Sequence, residues 1–291
     1  MRVLIVGGGG MLGHRVWMAS RNRFDAWTTL RDSARRYPEG LFDHNRTVDG
    51  VDVRNSDAIA RAIDCARPDA IVNCVGIVKQ RAEAADPIAV TINALFPHQL
   101  AAAADAAGAR LIHISTDCVF SGGRGNYDET DVPDAEDLYG RSKLLGEVAA
   151  PHLTLRTSLI GRELKGCGGL VEWFLSRRGR LVRGYKGAIF SGVTTTQMAR
   201  ILVSLLESDR RLEGLYHVAA DPISKHDLLT LVNAAFDAGA TIEPDDEPRI
   251  DRSLNGARFR AATGLCAPPW PQMVAEMAAD PAPYDQWRQT A

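Results

Sequence analysis

Over the first 160 residues, apolar and polar positions follow two alternating rhythms. Short apolar runs at 2–6 (RVLIV), 26–30 (AWTTL), 51–53, 70–75 (AIVNCV), 110–115 (RLIHIS) and 153–157 (LTLRT) read as strands. Between them, residues 11–20, 57–66, 88–107 and 138–150 carry longer patterns with helical spacing. Near-continuous apolar strands alternating with helices predict an α/β fold, a doubly wound parallel sheet covered on both faces.

Past Ser158 the rhythm breaks. Glycine-rich stretches at 165–169 and 184–187 interrupt it, and two further helical patterns follow at 195–206 and 225–238. Residues 214–219 (GLYHVA) read as a strand that extends the sheet, and the tail from Pro268 is proline-rich, then helical. The expected organisation is a dinucleotide-binding unit over 1–160 and a smaller substrate-binding lobe over 161–291, with 214–219 returning to the main sheet.

Composition narrows the class. The chain has 291 residues, 45% hydrophobic and 24% charged, with a formal net charge of −2, so neither nucleic acid nor a membrane surface is an expected partner. Five scattered cysteines without a CxxC pair give no disulfide framework. No apolar run approaches the roughly 18 residues of a membrane span, and the N-terminus lacks a signal-peptide pattern. A reducing, cytoplasmic setting is expected. The seven histidines show no metal-ligand spacing, so no metal is expected.

The first strand runs directly into GGGGMLG, Gly7 to Gly13, in one of two registers, Gly8-x-Gly10-x-x-Gly13 or Gly7-x-x-Gly10-x-x-Gly13. A turn between strand and helix lets the backbone approach a pyrophosphate without a Cβ, and Gly13 lets the helix pack close. The helix N-terminus then offers free N–H groups to the anion. After the second strand comes Arg31, whose guanidinium suits a 2′-phosphate and favours NADPH. Asp32 follows, and a one-residue shift of the strand end would favour NADH instead. Asp52, closing the short strand 51–53, is a candidate acceptor for the adenine amino group. Asn73 and Gly76, ending the next strand, are candidates to run beneath a ribose.

Tyr139 and Lys143 lie four apart on one helical face. A nearby ammonium, helped by a bound nicotinamide cation, would lower the phenol pKa from its ordinary value near 10. The same lysine can hold ribose hydroxyls. Tyr139 can then give its proton to an oxygen that gains charge as a ketone is reduced. Thr116 or Ser115, at the carboxyl end of a strand, is placed to supply a second hydroxyl to that oxygen.

The order of GGxGMLG, STDCVF, YGRSKLLGE, LRTS and GLYHVAA resembles the extended short-chain dehydrogenase/reductases, and within them the dTDP-4-dehydrorhamnose reductases and related nucleotide-sugar reductases. The resemblance implies a Rossmann-type fold and NAD(P)H-dependent reduction of a C4 keto group on a nucleotide-linked deoxyhexose. It implies Thr116, Tyr139 and Lys143 as the catalytic triad, Gly7, Gly10, Met11 and Leu12 at the pyrophosphate, and Thr157 and Ser158 near the nicotinamide or sugar. Cys118 stands where the family commonly has an aromatic residue, and 157–176 departs from its pattern. The nucleotide is therefore open among dTDP, UDP and GDP. Two other outcomes stay open: an NAD-retaining epimerase or dehydratase, and a non-catalytic NADP-binding regulatory subunit. The dehydratase is disfavoured because no glutamate follows Asp117. A homodimer is compatible, with Mg²⁺ at a dimer contact in some related reductases.

Such a substrate carries a diphosphate. Arg177, Arg178, Arg180 and Arg183 are candidates to bind it, or form a solvated helix face. Arg252, Ser253 and Asn255 are further substrate candidates. Glu172 and Trp173 either face a sugar ring or belong to an amphipathic helix.

Overall fold

A computed structural model describes residues 1–289. Its strands are β1 (Arg2–Val6), β2 (Asp25–Thr29), β3 (Thr47–Val48), β4 (Ala70–Asn73), β5 (Arg110–Thr116), β6 (Leu153–Thr157), β7 (Leu159–Ile160), β8 (Leu181–Tyr185), β9 (Ala188–Phe190), β10 (Val193–Thr194), β11 (Gly214–His217), β12 (Ile223–Ser224), β13 (Thr241–Asp245) and β14 (Ile250–Asp251). Its helices are α1 (Gly13–Ser20), α2 (Ser56–Ala66), α3 (Phe96–Ala106), α4 (Leu138–Leu145), α5 (Leu170–Leu175), α6 (Thr195–Glu207), α7 (Lys225–Ala235), α8 (Ala257–Thr263), α9 (Trp270–Ala278) and α10 (Tyr284–Gln289).

Seven strands, all parallel, form the main sheet in the order β11-β6-β5-β4-β1-β2-β3. The apolar run of β1 is explained by its two covered faces. Val3 and Ile5 join the core that includes Val16, Trp17 and Ile201, whereas Leu4 and Val6 join Ile59, Phe96 and Leu100 on the other side. The chain moves outward from β1 through β2 and β3, then reverses through β4, β5 and β6. A crevice therefore opens at the carboxyl ends of β1 and β4, where ligands of such sheets bind.

Three expected elements differ. The strand expected at 51–53 is absent. The third strand lies earlier, at Thr47–Val48, and Val51 gives only one ladder bond, to Leu30 O. The Asp49–Gly50 turn, with Gly50 at φ +68°, separates the two segments. The helix expected over 138–150 ends at Leu145, because Gly146 packs where a Cβ would lie 1.9 Å from Asn93 O. The segment holding Arg177, Arg178, Arg180 and Arg183 is not a helix face. It is a turn through Gly179 (φ +69°) leading into β8.

In the C-terminal half, α6 packs on α1 and β11 pairs with the edge strand β6. The remaining strands make small sheets, β8 with β13 and β9 with β12 and β14. Among the described residues no helix is long and apolar enough to cross a membrane.

Candidate active site

At the carboxyl end of β1 the glycines form a cradle that side chains would fill. Gly7 takes φ +91°, and a Cβ there would meet Val75 Cγ2 at 2.6 Å. A Cβ on Gly13 would lie 2.1 Å from Gly7 O, so helix and loop pack backbone to backbone. Gly10 is different, since its Cβ position is crowded by nothing closer than 3.4 Å. The turn closes through Gly10 N to Gly7 O at 3.1 Å, which is the Gly7-x-x-Gly10-x-x-Gly13 register. Met11 and Leu12 follow at the mouth of α1, so this part of the crevice fits a dinucleotide pyrophosphate.

Around the cradle, Arg31 is exposed just past β2, while Asp32 faces Arg36 at 3.5 Å. Asp52 is committed to Arg54, whose guanidinium and backbone N–H hold its carboxyl down at about 2. Tyr37 was not singled out from sequence. A Cβ on Gly9 would meet its Oη at 2.2 Å, and Lys165 Nζ lies 4.3 Å from its ring. Asn73 is fully buried between His113 Nδ1 (3.1 Å) and Val75 N (3.0 Å). Gly76 borders Lys143, whose Nζ would sit 3.8 Å from a Cβ there.

The structure brings Thr116, Tyr139 and Lys143 together. Asp137 caps α4 by accepting from Gly140 N at 2.7 Å, which sets Tyr139 in the first turn and Lys143 one turn later. The Thr116 and Tyr139 side chains are neighbours close enough for the hydroxyl to act on the phenol. Lys143 is buried and donates to Ile114 O at 2.7 Å. Burial lowers its pKa to about 8 against the opposing charge of Glu147. The phenol moves opposite to the sequence expectation. Burial first, then the acidic groups at Cys118, Asp117 and Asp137, raise Tyr139 above its ordinary value, outweighing the lowering by Thr116.

Ser115 faces away from this cluster and donates to Glu147 at 2.7 Å. Glu147 also takes a bidentate bond from buried Arg156 at 2.7 and 2.8 Å. Of the two hydroxyls considered, Thr116 is the one at the phenol. Asn93 was also missed. It lies in a π-helical turn, Val90–Leu95, and joins Ile77 N (2.8 Å) and Ile77 O (3.1 Å) to Ser142 on α4. That turn carries it inward and braces the loop after β4 against α4.

The C-terminal half supplies two cations. Arg252 donates to Phe120 O at 2.8 Å, and its charge reaches Asp117 and Cys118. Lys225, at the start of α7, lies 3.9 Å from the Phe190 ring centroid, and its charge also reaches Asp117. Burial lowers Lys225 to about 8 and raises Asp117. Thr157 is buried and its hydroxyl donates to Ser158 O at 3.3 Å. Ser253 and Asn255 tie the loop after β5 to this half, through Asn126 N to Ser253 Oγ (2.8 Å) and Asn255 N to Tyr127 O (2.7 Å). Other candidates are used elsewhere. Arg183 is exposed beside Asp245 at 3.6 Å, and Arg178 caps Phe236 O and Asp237 O. Glu172 is buried between Arg162 (2.6 Å) and Arg288 (3.2 Å), and Trp173 packs on the core. Among the described residues no group of three His, Cys, Asp or Glu side chains is placed to hold a metal.

A doubly wound sheet, a glycine cradle and a Thr-Tyr-Lys cluster at one edge define a protein of the short-chain dehydrogenase/reductase type. The chain belongs to the family described as the RmlD substrate binding domain, whose model matches residues 1–281. It is 28% identical over 255 residues to dTDP-4-dehydrorhamnose reductase of Salmonella typhimurium, spanning 78% of this chain and 84% of that protein. Methionine adenosyltransferase 2 subunit beta of Danio rerio is 34% identical over 255 residues, spanning 81% and 74%. Among solved structures, a hypothetical dTDP-4-dehydrorhamnose reductase of Sulfolobus tokodaii superposes with TM-score 0.77 at 26% identity, over 93% of this chain and 98% of that one. The fold is also that of the Bacillus anthracis reductase in complex with NADP, with TM-score 0.78 at 23% identity over 95% and 98%.

Proposed function

We propose that this chain reduces the C4 keto group of a nucleotide-linked deoxysugar with NADPH, as a reductase of the dTDP-4-dehydrorhamnose kind. The convergence of Thr116, Tyr139 and Lys143 beside Gly76, at the same sheet edge as the Gly7–Gly13 cradle, carries this reading. The resemblance to the Salmonella typhimurium enzyme over 84% of its length supports the substrate class.

Gly7, Gly10, Met11, Leu12 and Gly13 would hold the pyrophosphate, Arg31 the 2′-phosphate, and Lys143 with Gly76 the nicotinamide ribose. The cofactor, when bound, supplies the hydride. Tyr139 gives the proton from Oη to the ketone oxygen, and its raised pKa keeps that proton in place at neutral pH. The Thr116 hydroxyl, beside the phenol, orients that oxygen. Asp117 lies beside Thr116, whose Oγ1 is 3.1 Å from its Oδ1, and it is placed to meet a sugar hydroxyl with Arg252 and Lys225 around it.

The test is NADPH oxidation, followed by nicotinamide absorbance, against a panel of dTDP-, UDP- and GDP-4-keto sugars. Tyr139→Phe should lower kcat by about 10²- to 10⁴-fold. Turnover that survives Tyr139→Phe would remove the proposed acid. NADPH binding with no turnover across the panel would favour the alternative of a non-catalytic subunit, the relationship to methionine adenosyltransferase 2 subunit beta being its support.

A further inference from the structure

The C-terminal helix reaches the glycine loop through one histidine. His14 is fully buried in the first turn of α1. Its Nδ1 lies 2.8 Å from Gly10 O, and its Nε2 lies 2.7 Å from the hydroxyl of Tyr284, the first residue of α10. A carbonyl oxygen only accepts, so Nδ1 carries the hydrogen. Burial holds His14 neutral by lowering its pKa to about 4, which leaves Nε2 a bare acceptor, and Tyr284 donates to it. Tyr284 is only 2% exposed, and it is held in place by Arg15, which bonds Tyr284 Oη at 3.4 Å and Asp280 at 2.6 Å.

The consequence falls on one peptide plane. Gly10 O accepts from both His14 Nδ1 and His14 N, the latter at 3.2 Å. In a planar trans peptide the next N–H points opposite to that carbonyl. Fixing Gly10 O toward α1 therefore aims the Met11 N–H outward, into the loop mouth where an anion is received.

We propose that Tyr284, acting through His14, 270 positions away along the sequence, is a positioning residue for the cofactor: α10 orients the Met11 amide that binds the dinucleotide pyrophosphate. This inference rests on the glycine loop being the NADPH site. Without the Tyr284 hydroxyl, the imidazole loses the bond that fixes its ring plane from the Nε2 side, and the Gly10–Met11 peptide gains freedom that binding must remove.

The experiment measures NADPH affinity of the full-length protein by the fluorescence of the binary complex, beside the thermal midpoint of the unliganded protein. Tyr284→Phe should raise the NADPH Kd about fivefold, ~1 kcal/mol. The matching kinetic change should fall on KM for NADPH and not on KM for the sugar. His14→Asn keeps a donor toward Gly10 but cannot reach Tyr284. It should weaken NADPH by a similar factor, and it carries the test if Tyr284→Phe does not fold. A folded variant with Kd within about twofold of the original, whatever its thermal midpoint, overturns the inference and leaves α10 a structural prop. If the unsubstituted protein binds no NADPH, the cofactor reading itself fails and the inference goes with it.

Discussion

Glu147→Gln should expose how Lys143, in its proposed catalytic role, is supported. The Glu147 carboxylate accepts Arg156 Nε at 2.7 Å, Arg156 NH2 at 2.8 Å and Ser115 Oγ at 2.7 Å. The two charged side chains are 3% and 12% exposed, so water replaces little of what is lost. Glutamine keeps the volume but offers one acceptor oxygen and turns an NH₂ toward the guanidinium. Arg156 is then left with the Phe120 face at 5.2 Å and His217 Nε2 at 3.4 Å. Removing one partner of a buried pair costs about 3–5 kcal/mol. Urea unfolding should therefore show that loss at an unchanged slope. The substitution has a second effect. Glu147 is the charge that opposes the burial-driven lowering of Lys143 to about 8, so its removal lowers Lys143 further. The ammonium exists below that pKa, and the alkaline limb of kcat/KM should move to lower pH in the variant. A stability loss under ~1 kcal/mol together with an unmoved alkaline limb would refute this account of the pair.

Two other outcomes follow from the site and its surroundings. Arg31→Ala should weaken NADPH by about tenfold or more while leaving NADH affinity near its original value, because in the proposed site the guanidinium meets only the 2′-phosphate; equal losses for both cofactors in equilibrium titrations would place Arg31 outside the site. His14 and His217 are each lowered to about 4, first by burial, so they are neutral when folded and take up protons on unfolding. Their stabilising contribution is complete above the unfolded value of 6.5 and is lost as pH falls towards about 4, at most ~3 kcal/mol each. Urea midpoints that stay flat between about pH 7 and 4.5 would contradict it.

The main sheet was legible because its signals are local. β1 alternates between two cores, so both sets of positions had to be apolar, and the glycines follow it without a break. The third strand was misplaced because two residues, Thr47 and Val48, carry no period to read. The overrun of α4 has a different origin. The pattern after Leu145 is compatible with helix, but the chain leaves at Gly146 because Asn93 lies against it, a contact between residues more than 50 positions apart. The arginine run looked like a helix face until Gly179 took a positive φ and turned it into β8.

In the site, Tyr139 and Lys143 were legible from spacing on one helix. Thr116 and Ser115 could be told apart only once the pleat of β5 sent one to the phenol and the other to Glu147. One available signal went unread: Arg156 lies inside the apolar run LTLRT, where both sheet faces are covered, and a buried guanidinium requires a carboxylate partner. The phenol pKa was misjudged because burial raises it and the acidic groups beside it act in the same direction, so nothing around it pulls it down enough. Of what the C-terminal half adds, only Arg252 was picked out from the sequence, as a substrate candidate; Lys225 and Tyr284 had no local signature. Lys225, Arg252 and Tyr284 are an ordinary helix start, a loop arginine and a tail aromatic until the fold sets them beside Asp117, Phe120 and His14. The proposed Thr-Tyr-Lys chemistry is therefore encoded within the sheet-forming half, whereas the cations around Asp117 and the brace on the glycine loop arrive from beyond it. Changes in 161–289 should accordingly alter which sugar is accepted and how tightly the cofactor is held sooner than they alter the proton transfer itself.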